Sequence, residues 1–244
     1  MPDLSDIQVV ILAGGLGTRL RPLTEKIPKV LAPILGRPFL HFQLEYLRRA
    51  GFRKALLLIA YLGEQIEDYC GDGGRWGLRI DYAREPSPMG TGGALKLAEE
   101  KLEDLFVLIN GDTFLPLDFD RFLSSFFTVP CAGMMTVYAG EEGLDAPPHN
   151  VRVGPDGFIS AYDKRNPDGL NGVDAGVSVY RREVLEMAPT GRPFSFEEGL
   201  IPRLIERRGL RGFRTRERFY DMGTPETLRK TEDFLRRGLT DDHL

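Results

Sequence analysis

Short apolar runs alternate with stretches of helical periodicity along the first 110 residues, and that alternation leaves few folds open. Residues 8–12, 55–60, 78–83 and 105–109 read as strands. Residues 38–50 read as a helix, with Leu40, Leu44 and Leu47 at helical spacing and Gly51 as the stop. Shorter helices are expected at 64–69 and 91–102. Buried strands that alternate with helices belong in a largely parallel sheet covered on both faces, so the fold class is α/β. The second half is less regular. Strands are expected at 133–139 and 175–180, helices at 197–207 and 225–237, and a loop at 141–150.

Composition removes other classes. With 42% hydrophobic and 10% aromatic residues in 244, a sizeable core is available, and disordered, collagen-like and coiled-coil chains are excluded. Thirty-two basic against 36 acidic residues leave a net charge of −4, which offers no field for nucleic acid. The most apolar run, 55–62, is far short of the about 20 residues that cross a bilayer, so no membrane partner is expected. The opening residues lack a basic and an apolar region, so no secretion signal is expected. Cys70 and Cys131 have no paired spacing, which argues against disulfides or zinc and for the cytoplasm.

In such sheets ligands bind at the carboxyl ends of strands, near the point where strand order reverses. Two glycine-bearing segments stand there: Ala13-Gly14-Gly15 after the first strand, and Asn110-Gly111-Asp112 after the fourth. The first continues as Leu16-Gly17-Thr18-Arg19-Leu20 and reaches Pro28-Lys29. Three glycines let the backbone approach a ligand and aim N–H groups at an anion. A P-loop would need a lysine in G-x-x-x-x-G-K, and a dinucleotide loop a third glycine where Leu20 stands, so both are excluded. The fork of Arg19 and the compact charge of Lys29 suit a polyphosphate, and so many basic groups in an acidic chain favour a triphosphate.

Leu12 to Leu20 with Pro28-Lys29 resembles the signature of the sugar-phosphate nucleotidylyltransferases. The resemblance continues through Gly90-Thr91-Gly92-Gly93-Ala94, Asn110-Gly111-Asp112, Asp174-Ala175-Gly176-Val177 and Asp221-Met222-Gly223-Thr224-Pro225. Within the family, the compact length, Gly-Thr-Gly-Gly-Ala and Phe194-Ser195-Phe196-Glu197 are most similar to the D-glycero-α-D-manno-heptose 1-phosphate guanylyltransferases. Mannose 1-phosphate guanylyltransferases and N-acetylmuramate 1-phosphate uridylyltransferases are the alternatives. The resemblance implies a Rossmann-like mixed, mostly parallel sheet of the glycosyltransferase-A-like kind. It implies one domain over 1–244, with a nucleotide half to about residue 117 and a sugar-phosphate half after it. A silent nucleotide-sensing subunit is the rival from another class, although Arg19, Lys29 and Asp112 are all retained.

The implied reaction joins a nucleoside triphosphate to a sugar 1-phosphate with release of pyrophosphate. Arg19 and Lys29 are the implied catalytic charges. Leu12, Ala13, Gly14, Gly15, Gly17, Thr18, Glu85, Gly90 and Thr91 are the implied nucleotide contacts. A carboxylate such as Glu85 only accepts, so it can take both N1–H and the 2-amino group of guanine, which favours GTP. The resemblance gives Asp112 and Asp221 to Mg²⁺, a hard cation that prefers carboxylate and phosphate oxygens. Read alone, Asp112 is a turn residue and Asp221 a helix-capping acid. Asp163, Lys164, Asp174, Gly176 and Glu197 are the implied acceptor contacts. None of the three histidines is given a catalytic role. The arginines at 203, 207, 208, 211, 214, 216 and 218 read as a solvated face paired with Glu206 and Glu217, or as the interface of a homo-oligomer.

Overall fold

The computed structural model describes residues 2–140 and 147–240, so the first six residues of the expected 141–150 loop lie outside the described residues. The seven strands of the main sheet are β1 (Gln8–Leu12), β2 (Lys54–Ile59), β3 (Arg79–Arg84), β4 (Leu105–Asn110), β5 (Gly133–Tyr138), β6 (Val173–Arg181) and β7 (Leu210–Thr215). Six α-helices accompany them: α1 (Phe39–Ala50), α2 (Gly63–Cys70), α3 (Gly90–Leu97), α4 (Phe119–Thr128), α5 (Ile201–Glu206) and α6 (Pro225–Thr240). Strand order is β7-β5-β6-β4-β1-β2-β3. β1 pairs parallel with β2, β2 with β3, and β5 with β7, while β5 and β6 are antiparallel. The sheet is therefore mixed and mostly parallel, as expected. From β1 the chain adds β2 and β3 on one side, then returns to β4 on the other, so the order reverses at β1 and β4.

The chain forms two compact units. One holds Pro2–Ser87, Ile109–Phe114 and the described residues from Tyr220 on. β1 and β2 pair in register from Gln8 opposite Lys54 to Leu12 opposite Leu58, and every residue of 9–11 is fully buried. α1 ends where Gly51 takes φ of +116°, a conformation that costs other residues a steric clash, and its N–H returns to the carbonyl oxygens of Arg48 and Leu47. A cluster of Leu20, Ile34, Phe39, Phe42, Phe114, Met222 and Leu235 gathers segments far apart in sequence. Each such side chain contributes about 1.5–3 kcal/mol on full burial. Three of them stand beside candidate site residues: Leu20 after Arg19, Phe114 two positions past Asp112, and Met222 after Asp221.

The other unit holds Pro88–Leu108 and Leu115–Phe219. α4 carries Phe119, Phe122, Leu123 and Phe126 to the core on one helical stripe, and Asp118 caps it by accepting from the Arg121 N–H at 2.9 Å. A two-stranded antiparallel pair, Val151–Val153 with Ile159–Tyr162, precedes Asp163. The pairing of β6 with β5 shifts between Asp174 and Ser178, at a bulge that contains Gly176 with φ of +78°.

Two expected helices differ in detail. The 91–102 helix is α only to Leu97 and closes with a 3-10 turn over Glu99–Lys101. The 197–207 segment opens as one π-helical turn, Phe196–Leu200, before α5. Pro202, in the first turn of α5, lacks an N–H and so favours a fresh start there. Among the described residues, no helix is long and apolar enough to cross a membrane.

Candidate active site

Within the first unit, the carboxyl ends of β1 and β4 meet directly, because the Gly111 N–H donates to the Leu12 carbonyl oxygen at 3.1 Å. Leu12, Ala13, Gly14 and Gly15 leave β1 here, and the Ala13 N–H still pairs with the Leu58 carbonyl at 2.8 Å. A methyl on Gly14 would lie 2.9 Å from Glu85 Oε1 and 3.0 Å from Ala60 Cβ, so the Glu85 carboxylate lies against the glycine loop. Glu85 is placed there by its own N–H, which continues the β2–β3 ladder to the Ile59 carbonyl at 2.9 Å. A methyl on Gly15 would touch nothing within 4 Å. Packing among the described residues therefore does not require glycine at 15, and its backbone is open to close approach.

Gly17, with φ of +61°, is pinned by the buried Thr24, whose hydroxyl donates to the Gly17 carbonyl at 2.7 Å. Thr18 and Arg19 follow on an exposed 3-10 turn anchored by Leu20. The side chain of Lys29 is mostly buried, and its ammonium forms an ion pair with Asp112. A second short pairing sets Asp221 opposite Thr113, and the Met222 N–H donates to the Asp112 carbonyl oxygen at 3.0 Å. Both aspartates thus lie on neighbouring strand ends. A methyl on Gly223 would lie 2.9 Å from Asp221 Oδ1 and 3.0 Å from Arg19 Nη2, so Arg19 and Asp221 border the same point.

Asp221 is not the cap of α6. Its carboxylate accepts from the Gly223 N–H at 2.7 Å, while Thr224 caps the helix through bonds in both directions with Thr227, at 3.0 and 3.2 Å. Among the described residues, no three His, Cys, Asp or Glu side chains converge on a protein-only metal cage. A pair of half-exposed carboxylates suits Mg²⁺, which is usually held by one or two carboxylates together with substrate phosphates.

The second unit holds the acceptor candidates. Lys164 Nζ and Glu197 Oε2 are 2.7 Å apart. Asp174 accepts from the Tyr162 hydroxyl at 3.1 Å and from the Gly176 N–H at 3.0 Å, the latter made available by the bulge. Asn150 Oδ1 accepts from the Asp174 N–H at 2.8 Å. Asp163 instead faces its own loop. Its carboxylate takes the N–H groups of Arg165 and Asn166, which hold its pKa below the usual carboxylate range. Gly90 has φ of +70°, and Gly92 and Gly93 donate to the Phe194 carbonyl at 2.9 and 3.0 Å. Thr91 Oγ1 accepts from the Phe196 N–H at 3.0 Å, so Gly90 and Thr91 are tied to the segment that carries Glu197.

Burial of its carboxyl pushes the Asp174 pKa up, opposed by the Gly176 N–H, and the charge of Glu197 adds to the rise. Burial first, and then the Asp174 charge, pushes the Tyr162 hydroxyl up as well. The sign for stability follows. The folded state of Asp174 binds its proton more tightly than the unfolded chain does. Its contribution is present below the ordinary value of 3.8 and is lost as pH rises through the raised value. Asp174→Asn keeps an acceptor for the Gly176 N–H and removes the charge. It is expected to raise Tm at pH 7, with the gain shrinking as the pH is lowered toward 3.8, as calorimetry at both ends would measure.

Thr24, Tyr162 and Asn150 support these sites without being among the expected site residues, although Thr24 lies between the glycine loop and Lys29, and Tyr162 directly precedes Asp163. Three arginines of the run have partners other than the expected acids. Arg208 pairs with Asp156 at 2.8 Å, and Arg211 and Arg214 donate to the carbonyls of Ser125 and Val153 at 2.8 and 3.3 Å.

This sheet, with a glycine loop and an aspartate turn at its point of reversal, defines a nucleotide-handling α/β enzyme. A family model described as nucleotidyl transferase matches residues 8–238. The chain belongs to the nucleotidyl transferase family. It is 30% identical over 231 residues to D-glycero-alpha-D-manno-heptose 1-phosphate guanylyltransferase of Aneurinibacillus thermoaerophilus, covering 94% of this chain and 98% of that protein. It is 33% identical over 192 residues to N-acetylmuramate alpha-1-phosphate uridylyltransferase of Neisseria meningitidis, covering 76% and 80%. The crystal structure of HddC from Yersinia pseudotuberculosis complexed with GMP-PN shares the fold with a TM-score of 0.79 and 29% identity, over 94% of this chain and 99% of that one. The chain is a sugar-1-phosphate nucleotidyltransferase.

Proposed function

We propose that this enzyme transfers GMP from GTP to a manno-configured heptose 1-phosphate, releasing pyrophosphate. The observation that carries the choice of base is the Glu85 carboxylate lying against Gly14 of the phosphate loop. An acceptor-only group at that place suits the paired N–H donors of guanine, whereas uracil and thymine offer one N–H between two carbonyls. The choice of sugar rests on similarity to the heptose guanylyltransferases.

A sugar 1-phosphate is already an anion at neutral pH, so its oxygen attacks the α-phosphorus without a general base, and pyrophosphate leaves from the opposite side. The protein aligns the two and offsets charge on phosphorus and leaving group. In this reading the backbone of 13–17 cradles the triphosphate, and Arg19 and Lys29 neutralise its oxygens. Gly90 and Thr91 complete the nucleotide contacts. Lys164 receives the sugar phosphate, Asp174, Glu197 and the Gly176 backbone meet sugar hydroxyls, and Asp163 shapes the loop beside Lys164. Asp112 and Asp221 would hold Mg²⁺, which when bound withdraws charge from phosphate oxygens. The product is a nucleotide sugar of the kind used to build cell-surface polysaccharide, and the cytoplasm is the proposed compartment.

The test is a panel of four nucleoside triphosphates against heptose, mannose, glucose and N-acetylmuramate 1-phosphates, scored by pyrophosphate release. GTP with the manno-configured heptose 1-phosphate is expected to react best. Turnover of UTP alone would overturn the assignment of Glu85.

A further inference from the structure

α1 carries one polar side chain, Gln43, into the core among Leu40, Phe42, Leu44 and Leu47, and it is only 3% exposed. Its Nε2 donates to the Thr113 carbonyl at 2.7 Å and to the Asn110 carbonyl at 3.2 Å. Those two residues bracket Gly111 and Asp112, so one amide group engages both ends of the aspartate turn. Gln43 Oε1, by contrast, is buried and has no hydrogen-bond partner among the described residues. The amide cannot be turned over to relieve this, because two carbonyl oxygens require donors.

The orphaned oxygen is a cost to stability that the two bonds to backbone carbonyls offset, and methionine would fill the same length at the loss of both donors. Apolar side-chain packing on this stripe gives no reason for an amide at this position. Control over the path of the chain through Asp112 does. We infer that Gln43 is a positioning residue, whose amide sets the direction in which the Asp112 carboxylate meets a divalent cation. The inference rests on the assignment of Asp112 to the metal made above.

The test uses Mn²⁺ as the probe, titrated by electron paramagnetic resonance in the presence of whichever triphosphate supports turnover. The parent chain, Gln43→Met and Asp112→Asn are compared, with triphosphate affinity in excess EDTA and Tm measured alongside. Gln43→Met is expected to weaken Mn²⁺ binding about 10–100-fold, the range seen when groups behind a metal ligand are lost. Its metal-free triphosphate affinity should match the parent, while its Tm should fall modestly, because two backbone carbonyls lose their donor as the orphaned oxygen is removed. Parent-like Mn²⁺ binding by Gln43→Met, with weakened binding by Asp112→Asn, would overturn this inference and leave the metal assignment standing. Parent-like binding by Asp112→Asn would instead remove the metal assignment itself, and this inference with it. A loss of metal-free triphosphate affinity in Gln43→Met as large as its loss of Mn²⁺ binding would mark a general structural role and overturn positioning. Should Gln43→Met fail to fold, Gln43→Ser, which leaves room for water at the two carbonyls, is measured against the same outcomes.

Discussion

Asp112→Asn is expected to lower kcat about 100- to 1,000-fold, equivalent to about 2.7–4 kcal/mol of transition-state stabilisation, by analogy with loss of one oxyanion-hole donor. Asparagine has the same shape and keeps an oxygen that Lys29 can reach, so a hydrogen bond from Lys29 and the neighbouring pairing of Asp221 with Thr113 survive. The mostly buried ammonium, however, loses its counter-charge. What disappears is the full charge that a hard cation and the reacting phosphates would sense. The expected signature is a collapse of pyrophosphate release with circular dichroism like that of the parent and a lower Tm, because Lys29 loses its counter-charge. Near-normal turnover would contradict the role given to Asp112, because it would mean that Asp221 alone suffices.

Gly111→Ala attacks the same turn through the backbone. The added methyl would lie 2.4 Å from the Leu12 carbonyl oxygen and 2.9 Å from Val30 Cγ1. Backbone cannot yield as a flexible side chain can, so the turn must move and its 3.1 Å bond to Leu12 must lengthen. Overpacking of this kind costs about 1–3 kcal/mol, or roughly 2–12 °C in Tm for a chain of this size. The larger effect is on catalysis. A shift of about 1 Å in a positioned group can cost about 100-fold in rate, and Asp112 is the next residue. Calorimetry and turnover measured together are expected to show a modest loss of stability and a large loss of rate. Parent values in both would mean that the β1–β4 junction is looser than its hydrogen bond indicates.

Much of this fold was legible from the chain alone, for local reasons. β1 coincides with the apolar run at 8–12, and α1 stops where glycine can take a positive φ. α4 was equally available, with Asp118 as its cap and Phe119, Phe122, Leu123 and Phe126 on one stripe, yet the expectation passed over it. The π turn at Phe196–Leu200 was not available, since it depends on how Pro202 and the Ser195 cap share one stretch of backbone. In the site, the glycine loop and the aspartate turn follow from which residue types can approach an anion or hold a hard cation. Gln43 carried a readable signal too, as an amide placed on an apolar stripe.

Residue chemistry and short-range periodicity, by themselves, determined the class of sheet, its strand ends and the kinds of group that stand there, because these depend on neighbours within a few positions. Only the tertiary structure decided that Lys29 meets Asp112 across 83 residues, that Glu85 lies against Gly14, and that Thr224 rather than Asp221 caps the last helix. Such meetings depend on strand order and on which apolar surfaces are buried together. No local pattern encodes that choice, because every strand with two apolar faces could pair with any other until the whole core closes.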